Sequence, residues 1–234
     1  MATRSVYLPK QDNIGVNIEK ITFEYYSGLS LSQKQKSINS LKKAAEAKGI
    51  KSFLEVSSKS DNKLGVALSA FNLKFTTIQE KKTYTVENAF QASKVFEHGG
   101  PYKDLLEVSP LEAKKDSRIK NSGNILKFNF CGIDFPNKPL TFFYDWLYIN
   151  ALLKNNELAE KVLQYDCFSD FEFNENKSIN CQAYSVALYV SLKKNNVDLT
   201  TLKNKNIFLK ICESEYKERF SSISYQTLIE FDKK

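Results

Sequence analysis

The chain contains a single histidine, His98. Any Ser–His or Cys–His nucleophile would have to recruit it, and His98-Gly99-Gly100-Pro101 reads as the end of a helix. Acid–base work, if the chain performs any, therefore falls to carboxylates. Three of them stand in suggestive company. Glu87, Gln91 and Lys94 are spaced i, i+4 and i+7 beside an apolar stripe of Val86, Ala89, Phe90, Ser93 and Phe96, with Thr85 placed to cap, so the spacing predicts one polar helix face. Glu87 then lies in the first turn, where a carboxylate complements the helix dipole. The plain alternative is a surface glutamate with an intrahelical partner.

Asp170 and Glu172 lie between Phe168, Phe171 and Phe173 in a segment that reads as a strand, with the two carboxylates to one side and Phe171 and Phe173 to the other. A half-exposed edge strand explains them equally well. Downstream, Asn174, Asn176, Asn180 and Gln182 supply amides able to bond a ribose or a base edge without adding charge. The polar loop from Ser57 to Lys63 and the segment Leu68-Ser69-Ala70-Phe71-Asn72 offer hydroxyls, backbone N–H groups and two lysines for phosphates. Neither G-x-x-x-x-G-K nor G-x-G-x-x-G is present, which excludes the standard nucleotide fingerprints.

The elements that must position these residues are those of an ordinary core. The chain has 234 residues, 42% of them hydrophobic, which excludes disordered and collagen-like architectures. Its apolar runs are too short to span a bilayer and its first residues lack an apolar leader, so a cytoplasmic protein is expected. Lys and Arg number 34 against 27 Asp and Glu, a net charge of +7. The only arginines are Arg4, Arg118 and Arg219, and the lysines form no stripe, so the field is mild and favours a polyanion without marking a nucleic-acid groove. Cys131, Cys167, Cys181 and Cys212 lack C-x-x-C spacing and read as ordinary buried or half-buried thiols, neither a zinc site nor a disulfide framework.

Along the chain, residues 1 to about 20 show no period and read as a loosely held arm, followed by a short strand at Thr22–Tyr26. A surface helix is predicted from Ser32 to Lys48 with Gly49 as its stop, then strands at Phe53–Val56 and Val66–Leu68. Ser109-Pro110-Leu111-Glu112 is a capping box with Pro at the first helical position, predicting a helix to about Ile119. Phe142–Ile149 opens a helix apolar nearly all round, on which Asp145 is conspicuous. A short helix over Glu157–Gln164, a buried one over Ile179–Leu192, a strand over Asn206–Ile211 and a mixed element over Ser214–Phe231 complete an α+β domain, helix-dominated with a small sheet.

Ser69-Ala70-Phe71-Asn72, the Tyr84–Lys94 segment and Ser109-Pro110-Leu111-Glu112-Ala113-Lys114 together resemble the NADAR, or YbiA-like, family. Its hallmarks are an S-x-F segment, a T-x-E-x-x-F-Q-x-x-K helix, an S-P-x-x-A helix start and a late acidic segment leading to an Asn on the last core helix. The order and approximate spacing match over residues 53–193, with an N-terminal arm and a C-terminal extension outside that core and one domain over 1–234. Phe143–Tyr148, Phe171–Asn174 and Ser178–Ala183 look like the branch of antitoxins found beside guanine-specific DNA ADP-ribosyltransferase toxins.

The resemblance implies an ADP-ribosyl glycohydrolase that frees guanine in DNA of ADP-ribose and so neutralises the toxin, without metal or cofactor. Glu87 takes the place of the catalytic Glu and Lys94 that of the helix lysine; Asp170 or Glu172 stands for the late acid. Lys59, Lys94 and Arg118 would hold the pyrophosphate and Asn72 and Asn180 the ribose hydroxyls, with Ser69, Phe71 and Asp145 beside them. YbiA-like relatives carry a W-G near the late acid; here the single Trp is Trp146 and no W-G occurs, so the aromatic contact falls to Trp146, Phe142 or Phe143. The expected substrate is single-stranded DNA or DNA with a flipped-out guanine. An N-glycosidase of small riboflavin-pathway intermediates and a non-catalytic antitoxin or ADP-ribose-binding module are the alternatives.

Overall fold

A hairpin, not a loose arm, opens the chain: β1 (Ala2–Pro9) and β2 (Val16–Phe23) pair antiparallel from Ala2↔Phe23 to Pro9↔Val16. Helix α1 (Leu31–Glu46) starts where the Ser30 hydroxyl accepts the Gln33 N–H, and Gly49 follows its end at φ +90°. After β3 (Phe53–Glu55), the apolar run expected to be a strand is instead helix α2 (Lys63–Ala67), because the Asn62 side chain caps Leu64. The hairpin β4 (Lys74–Thr76) and β5 (Thr83–Thr85) feeds directly into α3 (Val86–Ala92), which gives way to β6 (Lys94–Phe96). The capping box at Ser109 is present in full, but the helix it starts is broken at Asp116 into α4 (Pro110–Lys115) and α5 (Ser117–Asn121).

Strands β7 (Ile125–Phe130) and β8 (Ile133–Pro136) turn at Cys131 and Gly132, and Cys131 is exposed, unlike the other three thiols and contrary to expectation. Helix α6 (Phe142–Leu153) is buried nearly all round, as its composition predicts. Helix α7 (Asn156–Lys161), strand β9 (Cys167–Ser169) and helix α8 (Gln182–Lys194) follow. The Asn206–Ile211 run, expected as a strand, is helix α9 (Lys205–Ile211), since the Asn204 side chain accepts from the N–H groups of Asn206 and Ile207. Helix α10 is Glu213–Ser221. This computed structural model describes residues 1–78, 81–175 and 178–221; Asn176 and the last part of the terminal element expected over Ser214–Phe231 lie outside them. Among the described residues no helix is long and apolar enough to cross a membrane.

The α+β class is as expected, but the strands divide among three sheets. Backbone contacts gather the chain into two units. The first comprises residues 1–69, 155–173 and 181–201. Its sheet has the order β2-β1-β9-β3, with β9 antiparallel to β1 at Tyr7↔Phe168 and parallel to β3. Ile38, Leu41 and Ala45 of α1 pack with Val6, Ile21, Phe23, Phe53, Cys167 and Phe171, while α8 lies against β1 and β9. The second unit comprises, of the described residues, those within 70–154, 174–180 and 202–221, and carries the sheets β4-β5 and β6-β7-β8. Its core is aromatic: the Phe128 and Phe143 rings lie 4.7 Å apart, Phe135 and Trp146 4.6 Å apart, and Phe90 and Tyr144 meet edge-on at 5.0 Å.

Candidate active site

Helix α3 is held before its side chains do anything. The Val86 and Glu87 N–H groups, orphaned at a helix start, donate to the carbonyls of Leu73 and Ala70 at 3.0 Å each. Thr85 Oγ1 accepts the Asn88 N–H, and the Asn88 amide donates to the carbonyls of Leu105 at 2.8 Å and Val108 at 2.9 Å. Asn88 is buried, so Asn88→Ala should strand two carbonyls and destabilise the fold by about 3 kcal/mol, read by urea denaturation. A loss under about 0.5 kcal/mol would mean that the tether is not made.

The three polar residues of α3's sequence motif meet, though not as one helix face. Glu87 is only 6% exposed and accepts the Gln91 side-chain N–H at 2.8 Å. Gln91 is equally buried, and its other terminal atom, Oε1, has no hydrogen-bond partner among the described residues. The helix ends at Ala92, where the Ser93 hydroxyl donates back to the Ala89 carbonyl at 2.6 Å, so Lys94 and Phe96 belong to β6 and not to the helical stripe. His98 likewise follows a strand and not a helix. Lys94 nevertheless stays with the group: its Nζ lies 4.7 Å from the Phe90 ring centre. Burial pulls its ammonium down to about pKa 8, the Glu87 carboxylate opposing and Lys114 adding to the fall. Lys114, on α4, places its Nζ 5.3 Å over the ring of Phe71, which is half-buried. The second unit thus gathers Phe71, Glu87, Gln91, Lys94 and Lys114, an ionisable set with a vacant acceptor.

Other residues singled out from sequence have different settings. Arg118 is already occupied, bonded to Asp104 and Asp116 with its guanidinium 4.5 Å over Tyr102, and those carboxylates raise its pKa further. Asp145 is buried within the second unit and accepts the Tyr216 hydroxyl at 3.2 Å. Of the three candidate aromatics, Phe142 and Phe143 are 1% exposed and only Trp146 is partly open, its indole N–H buried without a partner among the described residues. Asn72 is exposed. Asn180 stands two residues before α8, half-buried, with its Oδ1 unpartnered among the described residues.

In the first unit the late acidic segment is a turn. Strand β9 stops at Ser169, Asp170 Oδ1 accepts the Glu172 N–H at 3.1 Å, and the two carboxylates do not share a strand face. Glu172 is exposed and ion-paired to Lys34 at 2.9 Å. Lys59 sits half-buried in the loop after β3, its N–H donating to Ser57 Oγ at 3.2 Å. Ser69 is buried and its hydroxyl lacks a partner among the described residues. Sequence reasoning passed over Glu55, buried in β3, and Lys114; a charged residue between apolar strand neighbours and the K closing S-P-x-x-A-K were the available signals.

A scan of family models matches residues 2–222 to DarT1-associated NADAR antitoxins. The chain belongs to that family, and the role it carries is that of an antitoxin to a DarT-type toxin. The match takes in the N-terminal hairpin and the helices after residue 193. No curated protein matches the chain in sequence.

Proposed function

We propose that the chain is an ADP-ribosyl glycohydrolase that removes ADP-ribose from guanine in DNA and thereby reverses a DarT-type toxin's modification. The observation that carries this reading is the buried Glu87–Gln91 pair, with Lys94 and Lys114 beside it. Gln91 gives its N–H to Glu87 and keeps its carbonyl oxygen for a donor brought by the substrate. Water attacks the anomeric carbon of the ribose, losing a proton to Glu87; the bond to guanine's exocyclic amine breaks, and the proton held by Glu87 is passed to the leaving nitrogen, which restores the base and the carboxylate. Glu87 also stabilises the oxocarbenium character that develops on the sugar. Lys94, with Lys114, holds the pyrophosphate. The net charge of +7 favours a polyanionic substrate over a small neutral one.

On the family resemblance we read Asp170 or Glu172 as the late acid; Glu172 is exposed and paired to Lys34. Lys59 and Asn180 are read as further substrate contacts, and Trp146 as the aromatic one, on the family resemblance. We read 1–234 as one domain, since each unit is assembled from separate stretches of chain.

The test is release of ADP-ribose from a guanine-ADP-ribosylated single-stranded oligonucleotide by the wild-type chain. No release by the folded protein would overturn the reading. The lysine gives a second check. With its ammonium lost near pH 8, the KM for the oligonucleotide should rise as the pH passes from about 7 to about 9, and Lys94→Met should have a high KM that no longer changes across that interval. A wild-type KM flat over that range would remove Lys94 from phosphate binding.

A further inference from the structure

The stretch from Lys103 to Lys120 in the second unit carries five cations and four carboxylates, and each carboxylate is engaged. Asp104 and Asp116 hold Arg118, Glu107 pairs with Lys82 at 2.8 Å, and Glu112 accepts the Ser109 N–H at 2.9 Å to close the capping box of α4. What is left over is positive. Lys103, Lys114, Lys115 and Lys120 are exposed, and among the described residues none of them pairs with a carboxylate. Lysines of α7, α8 and α10 differ in this respect: Lys161 is bonded to Glu157, Lys194 to Asp166 and Lys217 to Glu213.

Apolar surface lies beside these lysines. Leu111, 49% exposed on α4, precedes Lys114 and Lys115 by three and four residues, so the helix sets it next to both of them. Lys114 in turn places its Nζ 5.3 Å from the centre of the half-buried Phe71 ring, and its charge is felt at Lys94 of the candidate active site. Cations for a phosphate chain and open apolar faces for unstacked bases are the two provisions by which proteins hold a single nucleic-acid strand. The sequence shows no basic stripe here because acids alternate with the lysines, and only the fold ties those acids up.

We propose that the exposed face of α4 and α5, from Phe71 and Leu111 through Lys114 and Lys115 to Lys120, binds the single DNA strand that flanks the modified guanine. The lysines take phosphates, and the two apolar side chains take unstacked bases. This rests on the reading of DNA as the substrate, and it makes affinity depend on strand length and salt, apart from the chemistry at Glu87.

The experiment titrates an unmodified single-stranded oligonucleotide of about 20 nucleotides by fluorescence anisotropy across a salt series. Lys115→Ala combined with Lys120→Ala changes two surface residues outside the groups assigned to the chemistry. This pair should weaken binding on the order of 10-fold at low salt and lower the slope of log affinity against log salt by about 1.4, about 0.7 for each phosphate contact. Lys36→Ala combined with Lys43→Ala removes the same charge from exposed positions of α1 and should change binding by less than about 2-fold. In turnover, the first pair should raise the KM for the ADP-ribosylated oligonucleotide to a similar degree with kcat unchanged, and leave the KM for ADP-ribosylated guanosine monophosphate where it was. No binding by the wild type, an unchanged salt slope in the first pair, or equal weakening by the two pairs would overturn the inference while leaving the hydrolase reading in place. Failure of the wild type to release ADP-ribose would overturn the hydrolase reading, whereas strand binding lost with Lys115 and Lys120 alone would still support the track.

Discussion

Glu87→Ala should lower kcat for ADP-ribose release by about 10³-fold, the range seen when a general base or an electrostatic stabiliser is removed from a water-poor site. The fold should survive. The Glu87 N–H bond to the Ala70 carbonyl is a backbone bond that the substitution leaves intact, and the helix remains held through Thr85 and Asn88. What is lost is a carboxylate and the partner of the Gln91 amide. Glu87→Gln should be nearly as slow, since an amide neither takes a proton from water nor stabilises a cation. Protection of cells against the cognate toxin separates enzyme from binder. If both variants still protect while wild type and variants alike fail to release ADP-ribose, neutralisation proceeds by binding and the enzymatic reading falls.

Gly65→Ala should destabilise the protein by about 3 kcal/mol, although helix propensity alone predicts a gain of about 1 kcal/mol for that exchange in a helix. A Cβ at Gly65 would lie 1.9 Å from the Glu55 carbonyl oxygen and 2.6 Å from Ser60 Oγ. Ser60 can rotate; the carbonyl belongs to β3, which the ladder with β9 holds in place. Helix α2 would have to lift from β3, disturbing the loop that carries Ser57 and Lys59. Chemical denaturation of the two proteins decides the sign, and a stabilised Gly65→Ala would show that α2 does not approach β3 so closely.

What could be read from the sequence was what local chemistry decides. Thr85 before α3, the Ser109–Glu112 box before α4 and the all-round apolar face of α6 each announce an element through neighbouring residues. Elements settled by distant partners were hidden. Strand β1 buries Ser5, Val6 and Tyr7 in succession, Val6 packing with α1 and Tyr7 with Tyr184 of α8, so it lacks the alternation that marks a one-faced strand. The runs at 66–68 and 206–211 read as strands, yet Asn62 and Asn204 decide for helix by offering side-chain oxygens to free N–H groups. The Phe168–Phe173 segment alternates like a strand, yet its Phe171 N–H is taken by a glutamate 116 residues earlier in the chain, which ends the strand at Ser169. Arg118 shows the converse limit: composition marks a rare arginine, but only the fold reveals Asp104 and Asp116 around it.

The placement of β9 between β1 and β3 bears on how the protein comes into being. During synthesis β1, β2 and β3 emerge first, and the inner edges of β1 and β3 have no mate until residues 167–169 have left the ribosome. The α8 segment that covers β1 arrives later still. Folding is thus bound to contacts of long sequence separation, which slows it and leaves strand edges open to other chains meanwhile. A chain built this way cannot close its first sheet until residues 167–169 have been translated, so translational arrest at any earlier codon yields nascent protein that lacks that sheet.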